Sequence, residues 1–200
     1  MKLLFLKRPF DFVLSLFGII VSLPLWGIIA FLIWLEDGFP VFYRQRRMGK
    51  NRKEFTILKF RTMVKNADKM GVWTEENDPR ITRVGKFLRR TAMDELPSLL
   101  SILKGDMSFV GPKALAIEEQ KILEKMIKGF EKRLQVRPGL TGLSQVYNVS
   151  DDPNLKLKYD LEYIEKMSFF LDLKLILISF WYTFTAKWDR REGKKSQKIN

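Results

Sequence analysis

From Phe12 to Leu35 the chain carries no charged residue, and Pro24 stands near the middle of that apolar run. At about 1.5 Å per residue a straight helix of this length would reach roughly 36 Å, enough for the roughly 30 Å hydrocarbon core of a bilayer. Membrane insertion is therefore expected. A cleaved signal sequence fits poorly, because the run is long and lacks an Ala-x-Ala-like end. An interior proline removes a backbone hydrogen bond and bends a helix, and the Ser22 hydroxyl can satisfy only part of what it frees. Lys2, Lys7 and Arg8 precede the run while Arg44, Arg46 and Arg47 follow it. Positive-inside reasoning thus pulls both ends to one side of the membrane. The expected topology is a re-entrant helix-hairpin over residues 1–36, kinked at Ser22 and Pro24, with a single span as the competitor.

A second apolar segment lies near the end, where Phe169, Phe170, Leu173, Ile176, Leu177, Phe180, Trp181, Phe184 and Trp188 crowd together. Its charge-free part, Leu175 to Ala186, is too short to span. It reads as an amphipathic helix lying in the headgroup region, against the plainer alternative of a core helix. The tail from Lys187 to Asn200 holds six cations and two acids and is expected to be a mobile arm against anionic lipid.

The chain has neither cysteine nor histidine. That excludes disulfides, thiolate nucleophiles, Ser-His triads and the usual zinc sites, leaving carboxylates, Lys, Arg, Tyr and hydroxyls for any chemistry. A metal would be hard and oxygen-bound, with Mg²⁺ favoured. The formal net charge is +13, and from Arg44 to Lys65 nine Lys/Arg face one acid, Glu54. The partner is therefore expected to be anionic: nucleic acid, lipid headgroups or nucleotide-sugar phosphates. Aromatics concentrate in the membrane-like stretches instead of the basic ones, which argues against nucleic acid.

Between the apolar segments, Asp94-Glu95 stands between clustered cations and the Gly111-Pro112 turn. Thr91 precedes Asp94 by three residues, a capping-box spacing, and Leu96, Leu99, Leu100 and Leu103 recur at helical intervals. Pro97 suits a first turn. The spacing predicts a helix whose N-terminus keeps both carboxylates ionised. A plain helix-start role for the two acids stays open on these residues alone. Elsewhere, Val41–Arg44 and Phe55–Phe60 read as a hairpin through Gly49-Lys50-Asn51, and residues 66–79 as a loop. Helical spacing continues from Ala114 to Leu134 beneath a charged, solvated face. Arg137-Pro138-Gly139 forms a rigid turn, and no Walker loop or dinucleotide fingerprint occurs.

Five blocks together resemble the bacterial sugar-transferase family of small monotopic phosphoglycosyl transferases. They are Lys7-Arg8 with Phe10-Asp11, LKFRTM at 58–63, MDELPSLLSILKGDMSFVGP at 93–112, VRPGLTG at 136–142 and SFFLDLK at 168–174. The resemblance implies a mostly α fold with a small β-hairpin, a re-entrant membrane helix and interfacial helices. It implies a catalytic domain over residues 37–188 and a tail over 189–200. It also implies transfer of a sugar 1-phosphate from a UDP-sugar to polyprenyl (undecaprenyl) phosphate on the cytoplasmic face of the bacterial inner membrane, releasing UMP. By motif, Asp94 would be the nucleophile that carries a covalent phosphosugar, and Glu95, with Asp94, would bind Mg²⁺. Arg89 and Lys113 would contact phosphate, with Lys59, Arg61 and Arg137 as further candidates. Homodimerisation is a further expectation, through apolar interfacial helices.

Some positions depart from the family pattern. Lys113-Ala114 stands where Arg-Pro is usual, Leu143-Ser144 where Trp-Ala is, Asn148-Val149-Ser150 where Asn-Gly-Arg is, and Ser22-Leu23-Pro24 interrupts the usual Ser-Pro. Exchanging a bidentate fork for a flexible point charge changes phosphate recognition. These departures motivate an alternative reading, a catalytically inactive membrane-anchored scaffold that binds anionic lipid or a partner enzyme.

Overall fold

The computed structural model describes residues 4–67, 78–148 and 152–185. The expected basic tail, Val149-Ser150 and most of the 66–79 loop lie outside them. The apolar run forms α1 (Lys7–Asp37), one helix with Pro24 inside it rather than two separate arms. Ser22 Oγ donates to Gly18 O at 2.6 Å and accepts from Trp26 Nε1 at 3.0 Å. The hydroxyl thus serves a carbonyl one turn back, two residues before the one that Pro24 leaves without its usual donor.

One stripe of α1 packs on the rest of the molecule. Asp11, Ser15, Ile29 and Ile33 are buried, and Gly18 lies close to Leu99. Phe12, Val13, Phe17, Ile20, Val21, Leu23, Ile28, Phe31 and Leu35 remain exposed around the other sides. Among the described residues α1 is the one helix long and apolar enough to cross a membrane. Both of its ends are nevertheless tied to the same body. At the start, Lys7 pairs with Asp172 at 2.5 Å, and Arg8 donates to Ile102 O and Leu103 O, each at 2.7 Å. At the end, Glu36 accepts from the N–H groups of Arg83 and Val84 at 2.7 and 2.9 Å, and Asp37 pairs with Arg61 at 3.0 Å.

The hairpin is longer than the sequence suggests. Strands β1 (Phe42–Met48) and β2 (Glu54–Phe60) pair antiparallel over their full length, with Tyr43 opposite Lys59 and Arg47 opposite Phe55. Helix α2 (Arg83–Thr91) is capped by Thr82 Oγ1, which accepts from Gly85 N at 2.9 Å. It packs so closely that a Cβ on Gly85 would stand 2.1 Å from Thr62 O. A six-residue 3₁₀ segment, Met93–Ser98, then leads into α3 (Leu99–Lys104).

A pairing with no signature in the residue pattern follows. Strands β3 (Ser108–Val110) and β4 (Gly139–Thr141) run parallel. They interlock the two glycine-proline turns: Gly139 N donates to Pro112 O and Gly111 N to Thr141 O, both at 2.9 Å. A Cβ on Gly139 would lie 2.1 Å from Gly111 N, so the crossing admits no side chain there.

The predicted helix over Ala114–Leu134 is shorter. Helix α4 (Ile117–Met126) stops there, Gly129 takes a positive φ of 85°, and a 3₁₀ turn covers Phe130–Gln135. Nor is its charged face wholly solvated. Arg133 is buried against Asp160 at 2.8 Å and donates to Lys113 O at 2.8 Å and Gln120 Oε1 at 3.2 Å.

The chain finishes with α5 (Leu143–Tyr147), α6 (Pro153–Lys166) and α7 (Phe169–Phe184). Helix α7 buries Asp172, Leu175 and Ser179 and exposes Phe170, Leu177, Phe180, Trp181 and Phe184. It therefore has one face committed to the core and a second, aromatic face open, as an interfacial helix requires. Trp188 lies outside the described residues.

Candidate active site

The dyad does not sit at the start of an α-helix. Thr91 is the last residue of α2, where its hydroxyl donates to Phe87 O at 3.0 Å and Leu88 O at 3.2 Å, so it caps nothing. Ala92 then turns left-handed, with φ 53°, and Asp94 and Glu95 fall in the first turn of the 3₁₀ segment, five and four residues before α3. The buried stripe shifts with it: Ser98, Leu99, Ser101 and Ile102 are buried, whereas Leu96, Leu100 and Leu103 are only half-buried. Ser98 Oγ donates to Leu58 O at 3.1 Å, fastening the segment to β2. Met93 and Leu96 pack with Phe60 and Leu88 against Ile29 and Ile33 of α1, holding the acids beside that helix.

Lys59, the next residue along β2, forms an ion pair with Glu95. Glu95 is the more acidic of the dyad. Burial alone would raise its pKa, but Lys59, Lys113 and Arg47 outweigh that and lower it. Asp94 goes the other way, up to about 6, because burial dominates and the Glu95 charge adds to it, against Lys59, Arg89 and Lys113. Both acids are expected to be ionised at a helix terminus; here burial and the neighbouring charges, and not an α-helix N-terminus, set their state. Two adjacent carboxylates have been pushed apart, as acid pairs with divided roles often are. At neutral pH Asp94 is still mostly a carboxylate.

Lys113 is an exposed residue, yet the protein packed around it lowers its pKa to about 8. Burial contributes most, with Glu95 opposing and Lys59, Arg47 and Lys156 assisting. Its carbonyl is fixed by Arg133. Arg89 Nε donates to Thr62 Oγ1 at 2.9 Å, and its charge reaches Asp94. Four predicted residues therefore act on the dyad or belong to it beyond Asp94 itself: Glu95, Lys59, Arg89 and Lys113.

Arg61 and Arg137 are placed elsewhere. The Arg61 guanidinium is buried at the end of α1, donating to Asp37 O at 3.1 Å and Gly38 O at 2.8 Å, where a cation complements the negative helix end. Arg137 is exposed and its Nε donates to Gly105 O at 2.8 Å, so it caps α3 together with Arg8. Both lie within motif blocks, and both serve the scaffold that carries the site. Arg47, by contrast, acts on Glu95 and Lys113 and was not singled out from the nine cations of its stretch. Period-two placement opposite Phe55 was the available signal.

Among the described residues no group of three or more His, Cys, Asp or Glu could hold a metal unaided. Two adjacent carboxylates remain. That donor set suits a cation completed by water and substrate phosphate, which is how Mg²⁺ is usually held.

The sequence profile described as bacterial sugar transferase matches residues 2–186. Among the relatives, the UDP-glucose:undecaprenyl-phosphate glucose-1-phosphate transferase of Escherichia coli K12 is 35% identical over 91% of this chain and 41% of its own length. The exopolysaccharide production protein PSS of Rhizobium leguminosarum bv. phaseoli is 40% identical over 86% of this chain and 92% of its own. The UDP-N-acetylgalactosamine-undecaprenyl-phosphate N-acetylgalactosaminephosphotransferase of Aeromonas hydrophila is 36% identical over 86% of this chain and 42% of its own. The chain thus spans about two fifths of the Escherichia and Aeromonas proteins and nearly all of the Rhizobium one. On the dyad, its cations and this match along almost the whole sequence, the chain belongs to the bacterial sugar transferase family.

Proposed function

We propose that the protein transfers a sugar 1-phosphate from a UDP-sugar to polyprenyl phosphate at the cytoplasmic face of the bacterial inner membrane, releasing UMP. The observation that carries this reading is the divided dyad: a half-buried Asp94 beside a Glu95 held by Lys59, with Arg89 and Lys113 in electrostatic reach. In the first step the Asp94 carboxylate attacks the β-phosphorus of the donor. The phosphoanhydride P–O bond breaks, UMP leaves with the electron pair, and an acyl phosphate of similar energy remains. In the second step an oxygen of the lipid phosphate attacks the same phosphorus and Asp94 returns as a carboxylate. Neither step needs a strong base, in keeping with a chain that has no histidine.

In both steps an anion approaches an anion. Arg89 and Lys113 lower that repulsion and stabilise the in-line transition state, while Lys59 holds Glu95 in place. Glu95 and Asp94 are the residues that would hold Mg²⁺, which when bound supplies further charge neutralisation on the phosphates.

The membrane geometry supports the same reading. A helix tied at both ends to one body, with most of its apolar surface outward, suits a re-entrant anchor better than a span that carries the body across. The exposed aromatic face of α7 adds an interfacial contact. A lipid phosphate would then meet the dyad without leaving the membrane surface.

The deciding experiment is mass spectrometry of the detergent-purified protein after incubation with a panel of UDP-sugars and no acceptor. A sugar-phosphate adduct on Asp94, together with released UMP, is expected. The relatives' names carry different sugars, so the panel also identifies the donor. Turnover with an unmodified Asp94 would overturn the covalent mechanism. Absence of UMP release from every donor would favour the scaffold alternative.

A further inference from the structure

Arg47 reaches the site from β1, one residue before Met48, whose N–H donates to Leu115 O at 3.0 Å. Its Nη1 donates to Ala114 O at 2.8 Å, the carbonyl next to Lys113. Of the acids around the guanidinium, Glu119 acts on it most strongly and Glu95 next. Through Ala114 the side chain is anchored to the same turn that carries Lys113. Its field acts on both Glu95 and Lys113.

The informative atom is Nε. It is buried and has no hydrogen-bond acceptor among the described residues. A buried donor without an acceptor is costly, and native structures keep few of them without a reason. Lys59, by contrast, is already committed to Glu95. A guanidinium anchored through one nitrogen, with a second N–H facing no protein acceptor, is half of a fork waiting for an oxyanion. A purely structural residue at this position would use the Nη1 bond, which a lysine could also supply.

We propose that Arg47 is a phosphate-binding residue of the donor site, with its Nε–H reserved for a phosphoryl oxygen of a nucleoside diphosphate. The inference rests on the donor reading above. It adds a cation outside the motif blocks, delivered by the hairpin. It also suits the departure at Lys113: where the turn offers a point charge, the neighbouring strand supplies planar, directional recognition.

The test uses UDP as the probe on the full-length protein in nanodiscs. The ¹⁵Nε–¹Hε resonance of wild-type Arg47, assigned by its disappearance in Arg47→Lys, should move downfield on saturation with UDP. Arg47→Lys, which can keep the Ala114 contact, should bind UDP about tenfold more weakly. It should raise the KM for donor by a similar factor, with kcat changed less than threefold. UDP binding that leaves the Arg47 resonance unmoved, or an Arg47→Lys protein that binds UDP within twofold of wild type, overturns the proposal while leaving the donor site intact. If UDP does not bind the wild-type protein at all, the donor reading falls and this proposal falls with it.

Discussion

Lys7 and Asp172, 165 residues apart in the chain, form a 2.5 Å ion pair between the first turns of α1 and α7. The two elements with the most exposed apolar surface are thereby fixed to each other. Tyr163 completes the junction, donating to Asp172 Oδ1 at 2.7 Å and lying 3.2 Å from Lys7 Nζ, and Lys7 also donates to Val110 O at 3.0 Å. Burial and the Asp172 charge hold the Tyr163 hydroxyl neutral, its pKa far above the ordinary phenol value.

Removing one side of this junction should be expensive. Asp172→Ala leaves the Lys7 ammonium beside two weaker acceptors, and breaking a buried pair typically costs about 3–5 kcal/mol. With the Lys7 side chain 17% exposed, about 3 kcal/mol is expected. Thermal unfolding in detergent should show the loss, and Lys7→Met with Asp172→Leu together should recover much of it. A double variant as unstable as the single one would mean that hydrogen bonding, not charge, holds the junction.

Glu36 makes a second inter-element tie, capping α2 from the end of α1 through two backbone N–H groups. Glu36→Gln retains an acceptor but loses the charge beside the positive helix end. About 1 kcal/mol of stability should go with it, and Glu36→Ala should lose more. Hydrogen exchange at Arg83 and Val84 should rise first in both variants. Unchanged protection there would assign the effect elsewhere.

How legible was this site? The hairpin, the apolar helix and the acid pair can all be read from residue pattern, because each has a period or a compositional edge. The turn into the dyad cannot. Alanine has no preference for the left-handed conformation that Ala92 adopts, so nothing marks Thr91 as the end of one helix instead of the cap of the next. The β3–β4 pairing is hidden because its strands are three residues long and parallel, joining turns far apart in sequence. Arg133 shows the same limit for charge: it stands among surface-like residues, and only the tertiary partner Asp160 reveals that it is buried.

The divided dyad predicts a particular pH behaviour. In the proposed mechanism Asp94 attacks as a carboxylate, so adduct formation from donor alone should rise with pH through about 6. If Lys113 holds phosphate as proposed, it does so as a cation, and the rate should fall again through about 8. The profile is a bell, and Lys113→Arg should extend its alkaline limb because a guanidinium does not titrate there. An alkaline limb unmoved in Lys113→Arg would exclude Lys113 as its origin.

The same shift has a stability consequence with a definite sign. A carboxylate whose folded pKa is raised binds its proton more tightly when folded, so its contribution is full below the unfolded value of 3.8 and is lost as pH rises through about 6. Ionised Asp94 therefore strains the fold at pH 7. Asp94→Asn should abolish UMP release, by a factor on the order of a thousand or more, while stabilising the protein at pH 7 by roughly 1–3 kcal/mol. The gain should vanish near pH 3.5, where both side chains are neutral. Equal melting temperatures at neutral pH would contradict the raised pKa.

The topology can be tested without background, because the chain contains no cysteine. Single cysteines at Lys2 and Lys50 flank α1 on either side. If α1 is a re-entrant anchor, a membrane-impermeant maleimide should label both in inside-out vesicles and neither in right-side-out ones. A span would label them from opposite sides. Pro24→Ala sharpens the comparison, since it restores the missing N–H and removes the ring that disfavours a straight helix. If the proline sets the re-entrant geometry, this variant should shift part of the population toward opposite-side labelling. The Lys7, Arg8 and Glu36 ties should hold the rest in place, because a spanning α1 would have to break them at one end. Labelling from opposite sides in the wild type would refute the monotopic reading, even if the transferase chemistry stood.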